Sequence, residues 1–277
     1  MQYRNLYEAG KAVLETAGVK EYELDARLLL EYVCHTSRHD LLVHGDREIP
    51  AEAEAEYWNV IKKREQRMPL QYITGEQEFM GLVFRTHPEV LIPRQDTETL
   101  TEEAMRYLQD GMSILDLCTG TGCILLSLLN YSNHCKGTGA DLSPAAVGIA
   151  EENAKRLGIE GAEFLQSDLF EKISGCYDMI VSNPPYIPTR VIQELMEEVR
   201  EYEPKLALDG HEDGLFFYRE IARGSREYLR RGGYLFFEIG HDQGKDVVRI
   251  MEENKYQDVR ICQDLAGMDR VVYGWKP

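Results

Sequence analysis

The sequence predicts an α/β protein: a mostly parallel β-sheet with helices on both faces, preceded by a small helical bundle and a β-hairpin linker. Three observations predict it. Residues 1–68 hold no convincing strand and repeat their apolar positions at helical spacing. Beyond about residue 113, strand-like and helix-like segments alternate, which implies parallel strands joined by crossover helices. The last two strand-like segments are joined by a loop too short for a crossover, so they close the sheet as an antiparallel edge pair.

The bundle, residues 1–68, rests on LYEAGKAVLETAG, on ELDARLLLEYVCH and on PAEAEAEYWNVIKKREQ, whose proline suits a first helical position. Four or five helices are expected. Nothing in them looks catalytic, and their role is packing or substrate recognition. Residues 69–93 change texture: EFMGLVFRTHPEVLIP alternates and is rich in Phe, Val, Leu and Ile, which suggests the hairpin linker. The third segment, 94–277, opens with the helix RQDTETLTEEAMRYLQ, whose first turns are acidic, as the helix dipole favours. SILDLC, KGTGAD, AEFLQS, YDMIVS and GYLFFEIG then read as strands, separated by GCILLSLLN, PAAVGIAEENAKRLG and GLFFYREIARGSREYL as helices. A helix near 242–254 and strands near 256–262 and 269–275 complete the chain.

Composition excludes several classes. With 277 residues, 43% hydrophobic and 29% charged, the chain is globular with ample core. No apolar run nears the ~18 residues of a membrane span. The opening MQYRNLYEAGK has no apolar leader core, so a cytoplasmic protein with no membrane partner is expected. Cys34, Cys118, Cys123, Cys135, Cys176 and Cys262 form no CxxC pair and read as reduced thiols. The seven histidines show no metal-ligand spacing, and no metal is expected. Residues 1–75 carry 10 Lys/Arg and 13 Asp/Glu, and the rest carry 21 and 35, so the later segment holds −14 of the net −17. Such a surface repels phosphate backbones, and direct nucleic-acid binding is not expected.

Candidate ligand residues sit at successive strand ends. The first strand runs through Asp116 into Cys118, Thr119, Gly120, Thr121 and Gly122, where two glycines permit a tight turn and close ligand approach. A dinucleotide fingerprint would need a third glycine, and Leu125 stands there. Asp116 beside this loop suits a ligand with an amino-acid end, although the loop also reads as an ordinary strand-to-helix turn. Asp141 ends the second strand and can take both hydroxyls of a ribose. It could equally cap the helix that begins near Pro144, as could Ser143. Asp168 ends the third strand and could accept from an adenine amino group, with Leu169 against the ring, or serve only as a turn residue.

The fourth strand delivers SNPPYIP to the same edge. Prolines fix their own φ and push the preceding residue out of the helical region, so Asn183, Pro184, Pro185 and Tyr186 form a stiff, extended loop. The Asn183 side-chain oxygen and the Pro184 carbonyl can each accept one hydrogen of a planar NH₂ group, and Tyr186 can cover its flat face. That grip aims a poor nitrogen nucleophile at an electrophile and stabilises the charge that grows on it. A ribose and adenine site with room for an amino-acid tail fits S-adenosylmethionine as the cofactor.

These residues resemble the peptide chain release factor glutamine methyltransferases, the PrmC/HemK family. The resemblance spans the chain: PLQYITGEQEFMGLVF, VLIPRQDTETL, LDLCTGTGCI, SNPPYIP, EPKLALDGHEDGLFFYREI, FEIGHDQG and DLAGMDRVV. It implies a seven-stranded Rossmann-like S-adenosylmethionine-dependent methyltransferase sheet behind the bundle and hairpin. It implies methylation of the glutamine amide in the Gly-Gly-Gln motif of class 1 release factors, the expected protein partner. On matching positions, Cys118–Gly122, Asp141, Asp168, Leu169 and Asn183 would hold the cofactor, and Asn183 to Tyr186 the glutamine. Two positions depart from the family pattern: Cys118 stands where glycine is usual, and Gln95 where proline is usual. NPPY is shared with amino-methyltransferases acting on adenine, so an adenine N6-methyltransferase is the chief alternative, disfavoured by the acidity. A non-catalytic cofactor-binding adaptor is a second, disfavoured by the intact NPPY.

Overall fold

A computed structural model describes all 277 residues, Met1–Pro277. The chain forms two compact units, one of residues 1–75 with 196–202 and one of residues 76–195 with 203–277.

The first unit is helical. It contains α1 (Tyr3–Thr16), α2 (Tyr22–Cys34), α3 (Arg38–Val43), α4 (Ala51–Glu65) and α5 (Leu70–Thr74). Leu6, Leu14, Leu29, Leu30, Tyr57 and Ile61 form its buried core. At Gly10, a Cβ would sit 2.1 Å from the Tyr57 hydroxyl, so α1 and α4 approach closely only because the side chain there is hydrogen. Arg64 is buried and donates to Asp25 at 2.7 Å, a paired burial of charge. The unit runs to Gly75 rather than to residue 68, because α5 follows Pro69 and adds Leu70 and Ile73 to the same core. Residues 196–202 also belong to it, which the sequence reading does not anticipate: Glu198 pairs with Arg64 at 3.3 Å and with Arg67 at 2.8 Å.

The second unit opens with a two-stranded hairpin, β1 (Glu76–Phe79) and β2 (Leu82–Arg85). Met80 and Gly81 turn it, both at positive φ. Next come α6 (Gln95–Met105), β3 (Ser113–Leu117), α7 (Cys123–Asn130), β4 (Lys136–Asp141), α8 (Pro144–Leu157), β5 (Ala162–Gln166) and β6 (Tyr177–Ser182). A 3₁₀ turn (Thr189–Glu194) follows, then α9 (Glu197–Tyr202), the segment placed in the first unit. The second unit resumes with α10 (Lys205–Leu208), α11 (Phe216–Tyr228), β7 (Leu229–Glu238), α12 (Gly244–Glu253), β8 (Gln257–Gln263) and β9 (Asp269–Trp275).

The seven-stranded sheet has the order β5-β4-β3-β6-β7-β9-β8. Strands β3 to β7 are parallel, and β9 joins β7 and β8 antiparallel, as the short final loop requires. Period-two alternation fills both faces. Leu115, Leu117, Ile180, Leu235 and Phe237 meet Tyr218 and Ile221 of α11 and Val247 and Met251 of α12. Ile114, Met179, Val181 and Phe236 face the other way, with α6, α7 and the hairpin's Phe79 and Phe84. The hairpin is therefore part of this unit's core and not a free linker.

Gln95 occupies the first turn of α6, is exposed, and follows Arg94 at φ −98° and ψ 144°. That extended backbone is what a following proline demands, and proline is favoured at a first helical position. Gln95→Pro is therefore expected to raise unfolding stability by ~0.4–1 kcal/mol through the unfolded chain's lost freedom. Denaturant midpoints of the two proteins check it; a lower midpoint for the variant would mean that the Gln95 N–H is needed.

Candidate active site

The carboxyl ends of β3, β4, β5 and β6 open into a cleft, where sheets of this type bind ligands. Its empty space, mouth included, is about 750 Å³, within the ~300–1,000 Å³ of small-molecule sites. Cys118, Gly120, Asp141, Asp168, Leu169, Asn183 and Pro185 line it, with Leu142, Leu206 and Phe217 adding apolar surface. Its charged lining residues are Glu89, Asp141 and Asp168, and no Lys or Arg is among them. A pyrophosphate would find no cation here. A cationic ligand with hydroxyls to donate fits this set of acceptors, and S-adenosylmethionine is such a ligand.

The loop after β3 explains its own residues. Gly120 has φ 54°, and a Cβ there would point into open space, so bare backbone faces the cleft. Gly122 is different: at φ 78°, its Cβ would meet Ala150, Leu126 and Phe164 at 3.1–3.3 Å, so it serves helix packing. Cys118 adopts φ 59°, the left-handed conformation that favours glycine. The departure from the family's glycine thus leaves the loop conformation in place, at some backbone strain. Burial pushes the Cys118 thiol well up, with Asp141 and Asp116 adding to it, so it stays protonated.

Asp141 holds this loop to the next strand. Its Oδ2 accepts from the Gly120 N–H at 2.9 Å and its Oδ1 from the Ser143 N–H at 2.9 Å. Ser143 is the helix cap, with its hydroxyl accepting from Ala146 N at 3.3 Å. Asp141 is thereby free of the capping role. Burial raises its carboxyl pKa, opposed by the Ser143 and Gly120 N–H groups. Asp168 presents an exposed carboxylate and Leu169 a half-buried side chain at positive φ.

Several anticipated residues lie outside the lining. Asp116 is fully buried on the α7 face of β3. Its Oδ2 accepts from the Thr119 hydroxyl at 2.6 Å and its Oδ1 has no partner. Burial pushes its carboxyl up to about 7. It supports the loop from below and does not face a ligand, because strand alternation turns residue 116 away from the Leu115–Leu117 face. Thr119, Thr121 and Gly122 are likewise buried behind the loop. Buried Asn153 of α8 braces them, donating to Thr121 O at 3.0 Å and to Arg85 O at 3.2 Å.

The proline loop alternates in the same way. Asn183 and Pro185 line the cleft, whereas Pro184 and Tyr186 do not. Tyr186 is half-buried on the other side, near Glu238, Arg270, Arg94 and Asp96, and burial raises its phenol pKa. Its ring is therefore placed beside this cleft rather than in its lining, and a planar amide that it covers would enter from that side. The segment after α10 backs the loop. Gly210 N donates to Ile187 O at 2.8 Å, and Gln243 Nε2 donates to Tyr186 O at 3.0 Å. At Gly214 a Cβ would lie 2.3 Å from the Tyr186 carbonyl oxygen, so only glycine fits. Asn183 Nδ2 donates to the Thr97 hydroxyl at 3.2 Å, and Arg94 pairs with buried Glu203.

Comparison with known proteins adds a decisive observation. The chain is 40% identical over 272 residues to the release factor glutamine methyltransferase of Geobacter sulfurreducens, covering 98% of this chain and 95% of that protein. It is 41% identical to that of Moorella thermoacetica over 96% of both. The chain belongs to the release factor glutamine methyltransferase family. Family profiles agree, with the PrmC N-terminal domain at residues 5–75 and the methyltransferase small domain at 95–202. Among solved structures, a Pyrococcus furiosus methyltransferase matches 71% of this chain and 89% of its own at TM-score 0.53 and 16% identity. A Thermus thermophilus 16S rRNA methyltransferase, solved with AdoMet and guanosine, matches 73% and 50% at TM-score 0.55 and 19% identity. Both likenesses are of fold. No helix is long and apolar enough to cross a membrane. Within this glutamine methyltransferase, the sequence reading passes over Thr97, Asn153, Glu203, Gln243 and Glu238 as site-shaping residues. All five stand outside the proline and glycine loops. Thr97, Glu203, Glu238 and Gln243 lie inside quoted motifs (IPRQDTETL, EPKLALDGHEDGLFFYREI and FEIGHDQG), but their partners are distant in sequence and no local pattern encodes them.

Proposed function

We propose that the chain transfers the methyl group of S-adenosylmethionine to the side-chain amide nitrogen of a glutamine, that of the Gly-Gly-Gln motif in class 1 release factors. The observation that carries the reading is the Asn183 amide. Its Nδ2 donates to Thr97, and the residue lines the cleft, so Oδ1 is available as an acceptor for an incoming N–H. Release factors act at ribosomes, so the chain works in the cytoplasm.

When bound, S-adenosylmethionine supplies an electrophilic methyl carbon on a sulfonium. Asp141 accepts from the two ribose hydroxyls, and Asp168 with Leu169 receives the adenine. The loop from Cys118 to Gly120 receives the amino-acid end. Asn183 Oδ1 and the Pro184 carbonyl accept the two hydrogens of the glutamine amide, whose lone pair is delocalised and poorly nucleophilic. Fixing both hydrogens raises the nitrogen's electron density and stabilises the positive charge that develops there. Orientation alone can supply up to ~7–11 kcal/mol of such a barrier. The glutamine enters from the side of Tyr186, Arg94 and Asp96, opposite the cofactor half. The helical unit receives the rest of the release factor, a reading supported by Leu24, Tyr32, Leu42 and Val43, large apolar side chains that it leaves exposed.

Purified protein is expected to transfer labelled methyl from S-adenosylmethionine to a class 1 release factor, and replacing the motif's glutamine in that factor should abolish labelling. Labelling of duplex DNA in place of the factor would assign the adenine chemistry instead.

A further inference from the structure

We infer that Glu238 and Thr97 form a positioning relay that sets which way round the Asn183 amide faces its acceptor. The inference rests on the amide methylation proposed above, since an incoming amide is what Asn183 must receive. Both relay residues lie in motifs, IPRQDTETL and FEIG, that belong to neither the glycine loop nor the proline loop.

The geometry begins with strand register. Ser182 of β6 pairs with Phe237 of β7, so the next residues along, Asn183 and Glu238, stand side by side at the carboxyl edge of the sheet, Glu238 still paired with Val271 of β9. Glu238 is 1% exposed and Thr97 2%. The Thr97 hydroxyl lies close enough to the Glu238 carboxylate to favour its ionised form, and Glu238 Oε2 has no partner. The Thr97 Oγ1 in turn accepts from Asn183 Nδ2 at 3.2 Å.

Counting protons gives the relay its direction. A threonine hydroxyl has one hydrogen, and an ionised carboxylate has none. Thr97 must therefore give its hydrogen to Glu238 and turn a lone pair toward Asn183. Asn183 can meet a lone pair only with Nδ2, which fixes Oδ1 on the acceptor side. A neutral or donating group at 238 removes that constraint. The Thr97 hydrogen can then go to Asn183 Oδ1, the amide turns over, and its NH₂ opposes the NH₂ of the incoming glutamine. A buried carboxylate with one bare oxygen is costly as packing alone; as the fixed acceptor of a relay it has a use.

The same logic gives a pH dependence. Burial pushes the Glu238 carboxyl up to about 7, opposed by the Thr97 bond and the Arg270 charge. The groups facing it are Arg270 from β9, Arg94 and Asp96 at the start of α6, Tyr186 from the proline loop, Tyr218 from α11 and Cys123 from α7. Glu238 is ionised above this pKa, so the relay is set at higher pH and released as pH falls. Neither a primary amide nor a sulfonium titrates in that range; Asp116, also pushed up to about 7, sits behind the glycine loop, so the limb is read in kcat at saturating cofactor, where the acceptor side decides.

The test uses the full-length chain with Glu238→Gln, Thr97→Val and Thr97→Ser, methyl transfer to a release factor, and calorimetry of S-adenosylmethionine binding. E238Q and T97V are expected to lower kcat about 10- to 100-fold, with cofactor affinity within about twofold of wild type. T97S, which keeps the hydroxyl, should restore turnover to within about threefold of wild type. Wild type and T97S should show an acid limb near pH 7 that E238Q lacks. Wild-type turnover in E238Q, or an unchanged acid limb there, overturns the relay alone. A wild-type protein that does not label release factor overturns the methylation reading and the relay with it. If E238Q does not fold, the comparison of T97V with T97S decides: equal turnover in the two sinks the relay.

Discussion

Asn183→Ala is expected to lower kcat by ~10²-fold or more while S-adenosylmethionine still binds with near wild-type affinity. The size follows from the loss of one fixed acceptor aimed at a reacting group, which typically costs ~10²–10³ in kcat. Alanine removes Oδ1 and the Thr97 contact together, but it leaves Asp141, Asp168 and the glycine loop untouched. The stiff backbone also stays, because Pro184 and Pro185 set it and Gln243 and Gly210 bond to it. The expected pattern is thus a loss confined to the chemical step. Single-turnover transfer to release factor measures that step, and calorimetry measures the cofactor. Undiminished turnover would mean that the acceptor amide is gripped elsewhere, and a parallel collapse of cofactor affinity would mean that Asn183 belongs chiefly to the cofactor half.

The same loop marks how far sequence alone could go. A proline-rich string straight after an apolar strand announces a rigid loop at the sheet edge, and Asn183 does line the cleft. The facing of each residue was less legible. Extended backbone sends alternate side chains to opposite sides, so Asn183 and Pro185 share the cleft and Tyr186 cannot. Asp116 fails as a ligand contact for the same reason, since one strand position decides between cleft and α7 face. Asp141 and Asp168 are more legible as cleft residues: Asp141 is the last residue of β4, and Asp168 stands two positions beyond the end of β5.

What the sequence hid depends on distant partners. Thr97 meets Asn183 across 86 positions. Glu238 joins them only through the register of β6 against β7. The return of residues 196–202 to the helical unit has a similar cause. It depends on Glu198 meeting Arg64 and Arg67, which lie 134 and 131 positions away, and a charged EEVREY helix carries no local sign of where it docks. Periodicity reports which face of an element is buried and is silent on which element covers it.

Asp141→Ala is expected to weaken S-adenosylmethionine binding by ~10²–10³-fold, the larger effect being on affinity and the smaller on turnover at saturation. Hydrogen bonds to a charged group contribute ~1.5–3 kcal/mol each, and two ribose hydroxyls on one carboxylate amount to two or more decades at ~1.4 kcal/mol per decade. The side chain is prepared for this. Gly120 and Ser143 N–H groups each hold one of its oxygens at 2.9 Å, so both remaining lone-pair directions are fixed before a ligand arrives. Asp141→Asn separates orientation from charge, because it keeps one acceptor oxygen but offers an NH₂ where an N–H already points; an intermediate loss is expected. Acid should act like the substitution. Burial has raised the Asp141 pKa, and protonation as pH falls removes an acceptor, so cofactor affinity should weaken toward acid in wild type and stay flat in D141A. Titration calorimetry over a pH series reads both effects. Unchanged affinity in D141A would move the ribose away from the end of β4, and with it the whole orientation of the cofactor relative to Asn183.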